Sequence, residues 1–412
     1  MNNVYLKNVG SILTGTVISQ VIPILGTLIL ARQFTPSAFG IYSTWLGIAL
    51  FIAVIITCRF ETVLAIEPDG EPRKTAVINV LTTTLASTTI LLFIVIGLHY
   101  LEINSIKGLN LEFLALAIIA ALLIATIQTL QTWLASDGLY KKLSIIRIIQ
   151  AGAIVLLQIC YSLINQDAIS LIISHISGLL IGILFCSILM PFTYRKKSFI
   201  DIKGSLLQFW KKHYRFPIYS LPADAINSAA GQIPLLIITT KFGTESAGLF
   251  ALTQRVLGAP IGLLGTAALD VFKRHAASAY RERGECSVEY KQTFKILFTG
   301  SALFCTTLYF IGPYLFHNLF DERWIDAGLI GLWLLPMFAF RFIASPLSYM
   351  VYIAHKQHLD LVWQIALLIT TILSLNFIDS FSLSMQLYSA GYAALYIIYL
   401  IMSYKFSLGT KN

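Results

Sequence analysis

Apolar runs of roughly membrane-spanning length recur along the whole chain, and polar or basic residues are confined to the gaps between them. The first six cover roughly 10–31, 40–58, 76–98, 111–134, 145–164 and 169–191. After a basic gap, six more cover roughly 217–240, 247–271, 292–312, 328–352, 360–378 and 385–404. Each is close to the ~20 apolar residues that a helix needs to cross a bilayer. The pattern predicts an all-α integral membrane protein with about 12 transmembrane helices in two six-helix bundles. The predicted divisions are 1–194, a cytoplasmic amphipathic linker 195–216, and 217–412. In the linker, Phe199, Ile202, Leu206, Phe209 and His213 recur at helical spacing beside Lys203, Lys211 and Lys212, as in a helix lying in the membrane interface. A plain solvated linker is the alternative.

Composition agrees with this reading. Of 412 residues 57% are hydrophobic and 12% charged, too few charges to clothe a soluble protein of this size. The net charge of +9 resembles a nucleic-acid signal until the cations are mapped, because they form no continuous basic face. With a cytoplasmic N-terminus, only Arg32, Lys107, Lys241 and Arg323 of the 29 lysines and arginines fall outside, and Arg255 and Arg341 lie within spans. The positive-inside rule therefore predicts that both termini are cytoplasmic. Met1–Lys7 precedes an apolar run without an early small-residue cleavage site, and reads as the approach to a retained first helix. The cysteines Cys58, Cys160, Cys186, Cys286 and Cys305 form no CxxC pair and no metal-ligand spacing, so no metal site is expected.

The two halves echo one another. Phe34, Gly40, Ile41 and Tyr42 match Phe242, Gly248, Leu249 and Phe250 at an offset of 208 residues. Both copies start from the same side of the membrane, which predicts a parallel repeat about an axis along the membrane normal, with a substrate path between the halves.

The run Leu30-Ala31-Arg32-Gln33-Phe34-Thr35-Pro36-Ser37-Ala38-Phe39-Gly40-Ile41-Tyr42 resembles the first loop of Wzx-type O-antigen and polysaccharide flippases. That family belongs to the MOP exporter superfamily, which also holds the MATE drug exporters. Arg59-Phe60-Glu61 with the acidic turn Glu67-Pro68-Asp69-Gly70-Glu71 is similar to the end of the family's second helix. Phe216-Pro217-Ile218-Tyr219-Ser220-Leu221-Pro222-Ala223-Asp224 is similar to its seventh, and Phe320-Asp321-Glu322-Arg323-Trp324 resembles the segment before its tenth, with Asp321 where Gly is common. The resemblance implies a MOP/MATE-like fold in a bacterial inner membrane. It also implies a substrate of undecaprenyl pyrophosphate carrying a few sugars, with membrane lipids and other polysaccharide-assembly proteins as further partners and no nucleic acid. No cofactor is implied beyond coupling to H+ or Na+.

Such a substrate calls for a wet cavity with cations for the pyrophosphate and hydrogen-bonding groups for the sugars. Arg147, Gln150, Gln158 and Tyr161 fall within an arc of about 80 degrees on the fifth helix, a polar stripe suited to cavity lining. Alternatively Arg147 snorkels to the interface while the glutamines bond neighbouring helices. Arg255 has Gly258, Gly262 and Thr266 on its face, leaving room for a pyrophosphate or for a closely packed helix. Arg341 sits mid-span, where an arginine costs about 2.5 to 3.5 kcal/mol and needs a partner or water. Arg59 completes the candidate substrate-binding set. Asp224, behind Pro217 and Pro222, and Glu61 are the candidates for ion coupling, although Asp224 could instead be a salt-bridge partner. Glu61 stands about 200 degrees from Arg59 on a helix, which predicts that the two do not pair. His175 is expected to be a neutral histidine bonded to a neighbouring helix.

The sequence contains no Walker loop, HExxH or GxSxG, and no paired carboxylates near a large extramembrane loop, so it is read as a non-enzyme. The competing readings are a polytopic polymerase or glycosyltransferase of polysaccharide assembly, and a MATE-like drug exporter.

Overall fold

The first hairpin is set by Thr35 and Pro36. The threonine hydroxyl accepts from Ala38 N at 3.2 Å, and proline fills the first helical position, where no amide hydrogen is needed. In the computed structural model, which describes residues 3–100, 111–190, 199–354 and 356–409, this capped turn separates α1 (Asn3–Gln33) from α2 (Pro36–Ile56). A 3-10 turn, Phe60–Ala65, leads to α3 (Glu71–Tyr100), α4 (Leu111–Ser136), α5 (Tyr140–Ser162) and α6 (Ala168–Leu189). Asp167 caps α6 by accepting from Ser170 N at 2.9 Å. The amphipathic α7 (Phe199–His213) and a π-helical turn, Phe216–Ser220, precede α8 (Leu221–Arg283). The chain continues through α9 (Ser287–Leu319), the turn Glu322–Trp324, α10 (Ile325–Leu347), α11 (Met350–Ile353), α12 (Gln357–Asn376) and α13 (Phe381–Ser407). The boundary expected at 194/195, with Arg195, Lys196 and Lys197, and the loop carrying Lys107 lie outside the described residues.

Among the described residues, ten helices are long and apolar enough to cross a membrane, and Val17–Gln33 is a shorter apolar stretch within α1. One of the ten, Phe216–Arg283, counts 68 residues and is broken at Gly243 (φ 89, ψ 168), a conformation that essentially only glycine adopts. At the 208-residue offset Gly243 matches Thr35, so the break in α8 corresponds to the turn between α1 and α2. Many hydroxyls inside the spans are satisfied by their own helix; Thr84 Oγ1 donates to Val80 O at 2.8 Å and Thr88 Oγ1 to Thr84 O at 2.7 Å, whereas Ser301 Oγ of α9 donates to Ala339 O of α10 at 2.8 Å.

The chain folds as two compact units. The first comprises Met1–Phe34 and Ile41–Gln232, and the second Thr35–Gly40 with Ile233–Asn412. In the first, α5 packs against α1 and α6, and α4 against α3 and α6. A Cβ on Gly178 would stand 2.7 Å from Ile154 Cα, so α5 and α6 meet backbone to backbone, the packing that small residues permit in lipid. In the second, α10 packs against α9 and α13, and α12 against α13.

The two hairpin copies meet reciprocally within the second unit. A Cβ on Gly40 would lie 1.9 Å from Thr244 O, and one on Gly248 would lie 1.8 Å from Pro36 O. Pro36 and Thr244, like Gly40 and Gly248, are 208 positions apart, so the contact has local two-fold symmetry. Ser37 Oγ and Thr244 Oγ1 share a hydrogen bond of 2.7 Å beside it. Glycine is required here because each partner is a backbone carbonyl that cannot swing aside.

Candidate functional site

α2 stops because Cys58 and Arg59 both take the left-handed conformation (φ 50 and φ 59), and the 3-10 turn begins at Phe60. The turn is held by Thr57 Oγ1, which accepts from Arg59 N at 3.2 Å, and by Thr62 Oγ1, which donates to Arg59 O at 2.6 Å. Two consecutive non-glycine residues in this region cost roughly 1 to 3 kcal/mol each and persist only where surroundings hold them.

The reversal corrects the sequence reading of Arg59 and Glu61. They are not on a continuous helix, and Arg59 Nη1 donates to Glu61 Oε1 at 2.7 Å. The Arg59 Nε edge donates to Asp224 Oδ2 at 2.5 Å. One guanidinium therefore bridges two carboxylates, leaving a local charge of −1. The side chain of Glu61 is 8% exposed, and its Oε2 is buried without a hydrogen-bond partner among the described residues, whereas Asp224 is 36% exposed. Asp224 reaches Arg59 from the first turn of α8, behind the π-helical turn that carries Pro217. All three residues belong to the first unit.

The polar stripe of α5 divides. Arg147 Nε donates to Gln131 Oε1 at 3.3 Å, and Gln131 Nε2 donates to Gln150 Oε1 at 2.8 Å, so Gln131 of α4 links the two. Gln158 is 3% exposed and points its amide at Leu171 O of α6, 3.5 Å away. His175 is bonded through Nδ1 to the Tyr42 hydroxyl of α2 at 2.8 Å, the helix-to-helix bond expected for it.

In the second unit, Arg255 stacks its guanidinium 5.6 Å from the Phe39 ring, which meets the Trp324 ring in a perpendicular arrangement, centroids 5.6 Å apart. A Cβ on Gly258 or Gly262 would meet nothing within 4 Å, so among the described residues no helix packs closely on the glycine face beside Arg255. Arg341 is exposed on α10, with Ser345 exposed one turn further. It makes no hydrogen bond or ion pair among the described residues, and Tyr388 and Tyr396 of α13 lie within its electrostatic range.

Two clusters escaped the sequence reading. Arg73 is buried; its Nε donates to Leu64 O and its Nη2 to Glu67 O, at 2.9 and 2.8 Å, while Nη1 reaches Asp137 Oδ1 at 2.6 Å. It pins the end of the 3-10 turn to the end of α4. Glu67, 7% exposed, accepts at Oε1 from Lys212 Nζ at 2.5 Å and bonds His213 Nε2 at 2.7 Å. Amphipathic spacing marked His213, but a partner 146 residues away leaves no local signal.

Burial raises the Glu67 pKa, but hydrogen bonds from Lys212 and His213 outweigh it and the net direction is down. For His213, burial lowers the pKa and prevails over the attraction of Glu67. A lowered histidine resists the proton that released α7 would accept, so docking weakens as pH falls below His213's ordinary 6.5. Lowered Glu67 contributes above its ordinary 4.5 and loses that contribution as pH falls through its docked value. Hydrogen exchange of α7 amides, corrected for intrinsic rate, is therefore expected to accelerate from pH 6.5 downward. Constant protection from pH 7 to pH 4 would contradict these directions.

Solved structures share this fold. The lipid II flippase MurJ in an inward closed conformation aligns with a TM-score of 0.67 at 14% identity, covering 95% of this chain and 87% of that one. An inward-facing MATE-family multidrug resistance transporter of the MOP superfamily aligns with a TM-score of 0.60 at 14% identity, covering 96% and 93%. A MOP superfamily transporter from Pyrococcus furiosus Vc1 aligns with a TM-score of 0.55 at 15% identity, covering 96% and 94%. No curated protein sequence gives a significant match. The fold is thus that of the MOP transporters, an all-helical polytopic membrane protein. Residues 5–272 match the family of polysaccharide biosynthesis proteins, and the chain belongs to that family.

Proposed function

We propose that this chain is a flippase that moves undecaprenyl-pyrophosphate-linked oligosaccharide, such as an O-antigen repeat unit, from the cytoplasmic to the periplasmic leaflet of a bacterial inner membrane by alternating access. The observation that carries the reading is the polysaccharide biosynthesis family match on a fold shared with a lipid II flippase. Twelve crossings with both termini in the cytoplasm follow from the distribution of lysine and arginine between the two sides. Arg341 and Arg255 meet the pyrophosphate, and Gln150 and Arg147 contribute polar groups for sugars; Gln158 and Arg59 complete the polar set. The Arg59, Glu61 and Asp224 network couples the cycle to H+ or Na+. Transport without chemical conversion fits the absence of a catalytic motif in the sequence, so the chain is proposed to be no enzyme.

Depletion of the protein should cause lipid-linked repeat units to accumulate on the cytoplasmic leaflet; unchanged leaflet distribution would refute the reading. Export of cationic dyes without an effect on lipid-linked sugar would favour drug export instead. Replacing Arg341 or Arg255 by Ala removes a charge-assisted contact worth about 1.5 to 3 kcal/mol, so flipping should fall roughly 10- to 100-fold. Lys should restore part of it, because the pyrophosphate needs charge more than fork geometry. Normal polysaccharide display from both Ala variants at normal protein level would remove these residues from the mechanism.

A further inference from the structure

The helix α7 connects the two carriers of the Arg59–Asp224 ion pair. Its aromatic face rests on the 3-10 turn next to Arg59; the Phe60 ring lies 5.1 Å from that of Phe209 and 4.9 Å from that of Trp210. Trp210 Nε1 donates to Thr83 Oγ1 at 3.1 Å, and Asn79 Nδ2 to Ser205 Oγ at 3.1 Å, which fixes α7 along α3. Its last turn is fastened by Lys212 and His213 on Glu67. Beyond His213 the chain runs through the π-helical turn Phe216–Ser220 directly into α8, whose first turn carries Asp224. One element thus supports Arg59 from below, through Phe60, and holds Asp224 from behind, through the chain itself.

We propose that docking of α7 on Glu67 sets the Arg59–Asp224 pair, making Glu67 a positioning residue and α7 the element that regulates the ion-coupling network. The proposal rests on the reading of that network as the coupling site. Releasing α7 withdraws the aromatic support of Phe60 and frees the start of α8 in one event. The attraction between Arg59 and Asp224 falls as they separate, so the pair follows the state of α7. Glu67 suits the fastening because it is a nearly buried carboxylate whose loss of charge leaves Lys212 without its counter-ion.

The test uses the full chain in nanodiscs and in vesicles, comparing Glu67→Gln, Asp224→Asn and the double variant. In Glu67→Gln, amide exchange should accelerate at least tenfold in α7 and, together with it, in 57–65 and 221–226. The ratio of flipping rates with and without an imposed gradient should drop to the value of Asp224→Asn, and the double variant should drop no further. Lys212→Arg should keep the wild-type ratio, and Lys212→Met, a milder change should Glu67→Gln fold poorly, should lower it. Acceleration confined to α7 with an unchanged ratio would overturn the proposal. If wild-type flipping ignores every gradient while the joint exchange response holds, the coupling reading has failed and the control of the ion pair by α7 stands.

Discussion

Replacing Gly248 by Ala is expected to cost the folded protein about 3 kcal/mol or more, at the upper end of what overpacking a closely fitted contact produces. The added Cβ would stand 1.8 Å from Pro36 O and 3.0 Å from Gly40 N, so the collision is with backbone on both sides. No rotamer change relieves it. The helices must separate, which also gives up the reciprocal approach of Gly40 to Thr244 O. Gly262→Ala is the matched control, because a Cβ there meets nothing within 4 Å and alanine outranks glycine by roughly 1 kcal/mol in helix propensity. The melting temperature in detergent should drop sharply for Gly248→Ala and hold or rise slightly for Gly262→Ala. Equal melting temperatures would mean that the two hairpins do not meet as described.

Arg59→Ala should abolish gradient-driven flipping, a loss of more than 100-fold, and lower stability as well. Removing one partner of a buried ion pair costs about 3 to 5 kcal/mol, and partial exposure of Asp224 places this site below that range. Two carboxylates are then left with no counter-ion, one of them 8% exposed. Asp224→Asn in the same chain removes one of them, so the double variant should recover much of the stability and none of the gradient response. Asp224→Asn alone should lose gradient-driven flipping and retain slow downhill exchange, provided the carboxylate titrates during the cycle. If Asp224 is only a structural partner of Arg59, its remaining transport should still respond to the gradient. The same comparison with Glu61→Gln, made for protons and for sodium, identifies which carboxylate couples.

The helices were legible in the sequence because lipid demands long apolar runs, and the polar turns at Thr35-Pro36 and at Gly243 interrupt them visibly. The structure breaks α8 at that second interruption, where Gly243 leaves the helical conformation, so the runs on either side of it are separate helical segments. The hairpin repeat was legible from Phe34, Gly40, Phe242 and Gly248; the contact between its copies was not, since an offset does not say that two segments touch. Periodicity failed at Arg59. It assumes a continuous helix, and Cys58 and Arg59 leave it through left-handed conformations that glycine normally signals. The Glu67 fastening was invisible because its partners are separated by 146 residues and each alone reads as an ordinary interfacial charge. Arg341 was marked by its cost in a membrane, a signal independent of neighbours.

Transbilayer movement of an undecaprenyl-pyrophosphate-linked oligosaccharide in vesicles containing only this chain would establish or refute the flippase activity. Substrate labelled in one leaflet is scored in the other with a membrane-impermeant reagent, under imposed proton and sodium gradients. Movement should require the chain, speed up with one of the two gradients, and fall at least tenfold in Arg341→Ala. Movement no faster than in protein-free vesicles, with correctly folded chain and every gradient tried, would contradict the proposed activity.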